Sequence, residues 1–105
     1  MKIIIWCETL EKGKEELERI KHRYEMVNIP ITQERNSKYE IMTLFENNDY
    51  IKVLEAKEFH RGQKCNLSIV ERSISKDFFN CVIRACTVAL PIQGFQFFGI
   101  GELGF

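Results

Sequence analysis

The chain has 105 residues, of which 45% are hydrophobic and 29% are charged. This length suits one small domain, and this composition excludes disordered, collagen-like and coiled-coil proteins, which depart from globular averages. Fifteen basic and fifteen acidic residues cancel, so net charge gives no support to nucleic-acid binding, which would need a local basic patch. We therefore expect a single domain over residues 1–105.

The first third of the chain predicts a buried strand followed by an amphipathic helix. The apolar run over residues 2–7 lacks polar alternation, which is typical of a strand covered on both faces. After Glu8 or Thr9, either of which can cap a helix, apolar residues recur at helical spacing between charges. The run is too short for a signal peptide, and no small-residue cleavage site follows it. We expect a cytoplasmic protein.

The middle of the chain predicts a linker, a β-hairpin and a further strand. Residues 28–38 contain a proline and a polar cluster, which favour a connection with room for one short extended piece. Two partly alternating runs then flank Asn47 and Asn48, residues that tolerate the left-handed backbone of a tight turn. A charged loop containing Gly62 follows, and residues 65–72 form another apolar run of strand length.

The last third predicts a second helix and a final strand. Ser75 is a natural helix cap, and the apolar residues after it recur on one helical face until Pro91 stops the helix. The aromatic run over residues 94–98 then predicts a strand. The order βα-ββ-β-α-β predicts an α/β domain with a mixed sheet of about five strands and two helices, most simply with both helices on one side. The alternative is a ferredoxin-like α+β sandwich, which requires residues 65–72 to be an edge addition or a loop.

The chain contains no complete catalytic or metal-binding motif. Its four cysteines form no Cys-x-x-Cys pair, and we interpret them as free thiols that pack as small hydrophobic residues. His22 and His60 have no partner at the spacing of a catalytic or metal site, so we expect both at the surface. We predict no catalytic residue, no metal site and no required cofactor. Enzymatic activity stays open, and the sequence favours its absence.

Residues 45–84 carry one recognisable order of motifs: a polar turn between two strands, an arginine-glycine loop, an apolar strand ending in an acid, and a polar helix start. This order resembles the hairpin, RG loop and Walker B region of phage large terminases and related P-loop ATPases. The resemblance implies that Arg61 and Gly62 are the loop pair and that residues 67–70 are the Walker B strand. It places Glu71 at the magnesium-linked aspartate and Arg72 at the catalytic glutamate.

The same resemblance departs from a working ATPase at two points. An arginine cannot act as the base that Arg72 would replace, and no Walker A motif lies upstream to cradle phosphates. The resemblance therefore implies a vestigial ATPase-like module that binds nucleotide or nucleic acid without hydrolysis, with Mg²⁺ accompanying the nucleotide. It also implies a phage or mobile-element origin and a bacterial host cell.

A long uncharged stretch near the end of the chain is the second candidate site. No charged residue occurs from Ala85 to Gly101, and one proline, two glutamines and a glycine interrupt this stretch below membrane-spanning length. A domain this small cannot easily bury so many aromatic residues, so we predict an interface with a protein partner or with further copies of the chain. The predicted contact residues are Phe95, Phe97, Phe98 and Phe105. The first functional hypothesis is therefore a small non-enzymatic accessory or regulatory protein that acts through protein binding or self-association.

Overall fold

The computed structural model describes residues 1–87 and 94–100. These residues contain six strands in one sheet. Their bounds in chain order are β1 (Lys2–Cys7), β2 (Ile31–Asn36), β3 (Glu40–Phe45), β4 (Tyr50–Glu55), β5 (Leu67–Glu71) and β6 (Gly94–Phe98). The spatial order across the sheet is β2-β3-β4-β1-β5-β6.

Two helical regions and one short 3₁₀ turn connect these strands. The long helix is α1 (Leu10–Met26), and the 3₁₀ turn spans Glu58–His60. Residues 76–86 form a continuous second helical region, called here the 76–86 helix, which consists of α2 (Lys76–Phe78), a π-helical segment (Phe79–Ile83) and α3 (Arg84–Cys86). Both predicted cap positions are confirmed, because the hydroxyls of Thr9 and Ser75 accept hydrogen bonds from the first turns of their helices.

The predicted α/β class with a mixed sheet is confirmed. Strands β1, β4, β5 and β6 are parallel to one another, and β3 and β2 continue the sheet as antiparallel strands beyond β4. The strand count is six rather than about five, because the linker contains β2 at the edge of the sheet. All six β2 residues are exposed, so no buried apolar face marked this strand in the sequence.

The two helical regions lie on opposite faces of the sheet, and the expectation of one side was wrong. Ile3 and Ile5 pack with α1, whereas Ile4 and Trp6 pack with the 76–86 helix. The reason lies in the connections: α1 leads from β1 past β4 and β3 to β2 at one edge, and the 76–86 helix leads from β5 in the opposite direction to β6. Right-handed crossovers that run in opposite directions along a sheet place their helices on opposite faces.

The ferredoxin-like alternative was also wrong. It required residues 65–72 to form an edge addition or a loop, but β5 lies between β1 and β6. Four of its five residues are buried, with Ile69 facing the α1 side and Val70 facing the other helix. Burial on both faces makes β5 a central strand of a doubly wound sheet.

The predicted β3–β4 hairpin is confirmed, together with its turn. Asn48 has a φ of 71°, and its backbone N–H donates to the carbonyl oxygen of Phe45 at 2.9 Å. A second local constraint lies in α1, where a Cβ on Gly13 would stand 2.4 Å from Val53 Cγ1 and 2.6 Å from Cys7 Sγ. The glycine therefore lets α1 approach the sheet more closely than any other residue would.

Candidate functional site

The carboxyl ends of the four parallel strands meet at one edge of the sheet. From β1 the chain continues through α1 to the strands on one side of β1, namely β2, β3 and β4. Strands β5 and β6 lie on the other side of β1. In open α/β sheets, ligands bind outside the carboxyl ends of two neighbouring strands from which the chain continues in opposite directions along the sheet. This position is called the topological switch point. This switch point is therefore where a ligand site is expected.

Glu71 ends β5 at this edge, and its carboxylate is held by its own chain. Strand alternation turns the side chain toward α1, where it is only 2% exposed. The backbone N–H of Glu8 donates to Oε1 at 2.9 Å, and Lys12 Nζ lies 3.3 Å from Oε2. Both carboxylate oxygens therefore have partners supplied by the β1–α1 junction.

Glu55, at the end of β4, occupies the same junction from the other side. Its Oε2 accepts a hydrogen bond from the backbone N–H of Leu10 at 3.3 Å. Thr9 Oγ1 accepts from the N–H of Lys12 at 3.4 Å. The amides that open a helix after a parallel strand are the groups that bind phosphate in nucleotide sites. Here carboxylate and hydroxyl oxygens of the protein accept from three amides of the junction, and only two residues connect the strand to the helix.

The electrostatics of the junction disfavour nucleophilic chemistry. The Cys7 thiol is buried beside these carboxylates and donates a hydrogen bond to the carbonyl of Leu54. Burial, with the nearby charge of Glu71 adding to it, raises the pKa of Cys7 to about 12. The thiol is therefore protonated at neutral pH and cannot act as a nucleophile there.

Nucleotide and Mg²⁺, which the terminase resemblance implies, do not fit Glu71 as it stands. To reach a metal ion, its carboxylate would have to release the Glu8 amide and the Lys12 ammonium. Within residues 1–87 and 94–100, no group of three His, Cys, Asp or Glu side chains could hold a metal ion.

Arg72 points away from Glu71 although the two residues are adjacent. Its backbone N–H donates to the carbonyl oxygen of Phe98, and its exposed guanidinium lies 5.9 Å from the centroid of the Phe97 ring. This is a cation–π contact on the face opposite α1. The structure therefore separates the two residues that the resemblance assigns to one Walker B end.

Arg61 and Gly62 lie beside the 76–86 helix. Arg61 Nε pairs with Glu58 at 2.7 Å, and its Nη1 reaches the carbonyl oxygen of Cys81 at 3.5 Å. Gly62 has a φ of 92°, which suits glycine. Both residues line a crevice of about 250 Å³ against the helix. No described hydrogen bond or ion pair joins them to Glu71 or Arg72, so the four predicted residues stand in separate surroundings.

The predicted aromatic interface lies on β6. Phe95 and Phe97 are half-buried and approach the Phe79 ring at 5.2 and 6.0 Å between centroids. Phe98 is half-buried against the α1 side. Phe105 lies outside the described residues. The aromatic rings therefore serve the core as well as the surface, and the exposed β6 side chain is Gln96.

The burial of one histidine was missed from the sequence. His60 is 4% exposed rather than at the surface, and its Nε2 has no hydrogen-bond partner. Burial lowers its pKa, so the imidazole is neutral at neutral pH. His22 is at the surface, as expected. The uncharged sequence of residues 94–98, which predicts an interface, forms β6, the outermost strand on its side of the sheet among the described residues.

No helix among the described residues is long and apolar enough to cross a membrane. No protein-family model and no curated protein matches the chain. Among solved structures, the chain is similar to the large terminase of a thermophilic bacteriophage. Crystal form 2 of that terminase gives a TM-score of 0.68 at 10% identity, over 91% of this chain and 25% of that chain.

Two further crystal structures of the same terminase give the same result. Crystal form 3 gives a TM-score of 0.67 at 9% identity, over 91% of this chain and 24% of that one. The ADP complex in crystal form 3 gives 0.67 at 10% identity, over 91% and 25%. The expected resemblance to phage large terminases is therefore confirmed for the fold. This chain spans only a quarter of the terminase chain, and the comparison carries no residue roles.

Proposed function

We propose that this protein is a small non-enzymatic accessory protein that binds a strand of another protein chain along the outer edge of β6. The observation that carries this proposal is the contrast between the two edges of the sheet. Edge strands present unpaired backbone groups, and natural proteins protect them with charged residues and bulges. Of the two edge strands, β2 has these devices and β6 does not.

The protection of β2 is visible in its residues. It contains Glu34 and Arg35, and its register against β3 shifts between Ile31 and Gln33. Strand β6, in contrast, has the sequence Gly-Phe-Gln-Phe-Phe without a charge. No strand within the described residues pairs with its outer edge. Addition of a strand to such an edge is a common mode of peptide recognition.

The state of the β1–α1 junction supports a non-enzymatic role. Glu71, Glu55 and Thr9 accept hydrogen bonds from three of its amides, and Cys7 is protonated. A phage or mobile-element origin, in a bacterial host cytoplasm, forms part of the proposal and rests on the terminase-like fold.

The test is to select strand-forming peptides from a random display library against the wild-type protein. Amide hydrogen exchange with and without a selected peptide then maps its binding position. We expect protection of the β6 amides. Peptides that protect only another surface, such as the groove between Ile29 and Phe45, would contradict the proposal, and so would a library that yields no binder at a protein concentration where the wild type is monomeric.

A second candidate function is nucleotide binding without hydrolysis. A cleft of about 400 Å³ at the carboxyl edge favours it, because Glu8, Lys57 and Ser75 offer polar groups there. This function predicts saturable heat on titration with ATP and magnesium, weakened by both Glu71→Ala and Arg61→Ala. The first proposal predicts no saturable heat from the wild-type protein. Wild-type binding that only Glu71→Ala weakens would contradict the assignment of Arg61.

A further inference from the structure

We infer that the strand which β6 accepts is β6 of a second copy, in an antiparallel pair centred on Gln96. This inference rests on the proposed function, since it names the partner for the same edge. The pair would join two sheets edge to edge about a two-fold axis perpendicular to both sheets. The same face of each sheet would then be continuous across the interface.

The backbone of β6 determines which groups face outward. The carbonyl oxygen of Phe98 accepts from Arg72 N–H, so the backbone groups of Phe98 point toward β5. Because backbone groups alternate in direction along a strand, those of Gln96 and Gly94 also face β5. The N–H and C=O groups of Phe95 and Phe97 therefore face the outer edge.

In one register, the outward backbone groups of Phe95 and Phe97 are all paired and every residue of β6 has an opposite residue in the second copy. When Gln96 lies opposite Gln96 of the second copy, Phe95 lies opposite Phe97 and Gly94 opposite Phe98. Each Phe95–Phe97 pair then exchanges two backbone hydrogen bonds, which gives about four in total. Registers centred on Phe95 or Phe97 would leave part of the five-residue strand without an opposite residue in β6.

The side chains are self-complementary in this register. Phe95 and Phe97 share one face of the sheet, because both pack against the same core cluster, and so their rings meet across the axis. Gln96 is exposed, and two opposed glutamine amides can donate to each other. Among the described residues, a Cβ on Gly94 would meet Leu67 Cδ1 at 3.6 Å, an ordinary van der Waals contact, and Gly94 itself sets no side chain against the opposed Phe98.

A two-fold pair of the same kind is disfavoured at the β2 edge of the sheet. A two-fold pair of β2 strands centred on Glu34 would bring Glu34 opposite Glu34, and a pair centred on Gln33 would lie beside the register shift between Ile31 and Gln33. Like charges directly opposite each other are destabilising. Strand β6 contains no charged residue, so its two-fold pair brings no like charges together.

The experiment compares the wild-type protein with Gln96→Lys and with Gln33→Lys by sedimentation velocity over a range of concentrations. Gln33 is the matched control, since it is an exposed glutamine on the other edge strand. We expect a concentration-dependent dimer for the wild type and for Gln33→Lys. We expect a monomer for Gln96→Lys, because this change places two ammonium groups opposite each other at the two-fold axis. Mixing Gln96→Lys with Gln96→Glu should restore the dimer.

A cross-link tests the register itself. Gln96–Gln96 is a non-hydrogen-bonded pair with a Cα separation of about 4.5 Å, within disulfide range. In a Cys81→Ser background, Gln96→Cys should form a covalent dimer under mild oxidation, and Gln33→Cys should not.

Three outcomes would overturn the inference: a monomeric wild type, a dimer unaffected by Gln96→Lys, or no Gln96→Cys cross-link. Selected peptides that still protect β6 in a monomeric protein would leave the proposed function standing. A monomeric wild type together with no peptide that protects β6 would contradict the proposed function as well.

Discussion

At the scale of single residues, the sequence identified a functionally interesting acid but not its surroundings. Glu71 was expected at a strand end near phosphate, and it does end β5 at the carboxyl edge. Its partners, Glu8 and Lys12, are about sixty residues away in the chain. Such contacts depend on the packing of α1 against the sheet, which local patterns do not encode.

The first prediction concerns the cost of removing this carboxylate. Glu71→Ala leaves the buried end of β5 without an acceptor for the Glu8 amide, and we expect a loss of about 1–3 kcal/mol of unfolding free energy. Glu71→Gln should cost less, because it keeps an acceptor oxygen and loses only the contact with Lys12, which is itself more than half exposed.

Urea denaturation of both Glu71 variants measures the difference, with Glu46→Ala as an exposed control. Equal losses for Glu71→Ala and Glu71→Gln would show that the Glu8 amide bond contributes no stability.

The second prediction concerns Gly13, where two effects oppose each other. Alanine at an exposed helical glycine stabilises a helix by about 1 kcal/mol. Here the added Cβ would overlap the buried side chains of Val53 and Cys7, and overpacking a core costs about 1–3 kcal/mol. We expect Gly13→Ala to destabilise the protein in thermal unfolding. Lys14→Ala on the exposed face is the control, and a rise in melting temperature for Gly13→Ala would contradict the close approach.

At the scale of elements, periodicity located the helices and the hairpin, allowed only a short extended piece where β2 lies, and did not reveal the π-helical segment within the 76–86 helix. A π-helical segment changes the hydrogen-bond ladder by one residue, which a pattern of apolar residues does not reveal. Arg61 and Lys64 reach carbonyl oxygens of this helix at Cys81 and Ala85. The loop between β4 and β5 therefore contacts the 76–86 helix through these two side chains.

The third prediction concerns the contact between α1 and the β3–β4 turn. Tyr24 stacks on Phe45 at 3.9 Å between ring centroids, and its hydroxyl donates to Asp49 Oδ2 at 2.7 Å. Burial alone would raise the pKa of Asp49, but hydrogen bonds from Tyr24, the amino terminus and Asn47 lower it overall. The carboxylate therefore contributes stability above its unfolded pKa of about 3.9, and this is lost as the pH falls through the lower folded value.

Tyr24→Phe keeps the stacked ring and removes the hydroxyl donor. We expect it to lose about 1 kcal/mol of unfolding free energy at neutral pH. This loss should shrink as the pH falls below the unfolded pKa of Asp49. Denaturant titrations across that range measure both effects, and Tyr39→Phe, at a half-exposed ring, is the control. A pH-independent loss would show that Asp49 is not the partner that matters.

At the scale of the whole molecule, the sheet order determines which strands are protected and which are open. The fourth prediction is that β1 amides exchange with solvent most slowly, because β1 is paired on both sides and buried on both faces. Amides of β2 should exchange fastest among the strands, because its six residues are exposed. Native-state hydrogen exchange measures this order, and equal protection of β1 and β2 would contradict it.

The terminase-like interpretation required the central place of residues 65–72, whereas the sequence by itself determined the α/β class, the Ser75 cap, a cap at Glu8 or Thr9, and the hairpin turn. These features follow from short-range rules, namely side-chain periodicity, capping and turn chemistry. Only the tertiary structure decided the helix faces, the partners of Glu71, the separation of Arg61 from Arg72, and the contrast between the edges β2 and β6. These depend on the direction of the crossovers and on contacts between distant residues, which a local pattern of apolar and polar side chains cannot specify.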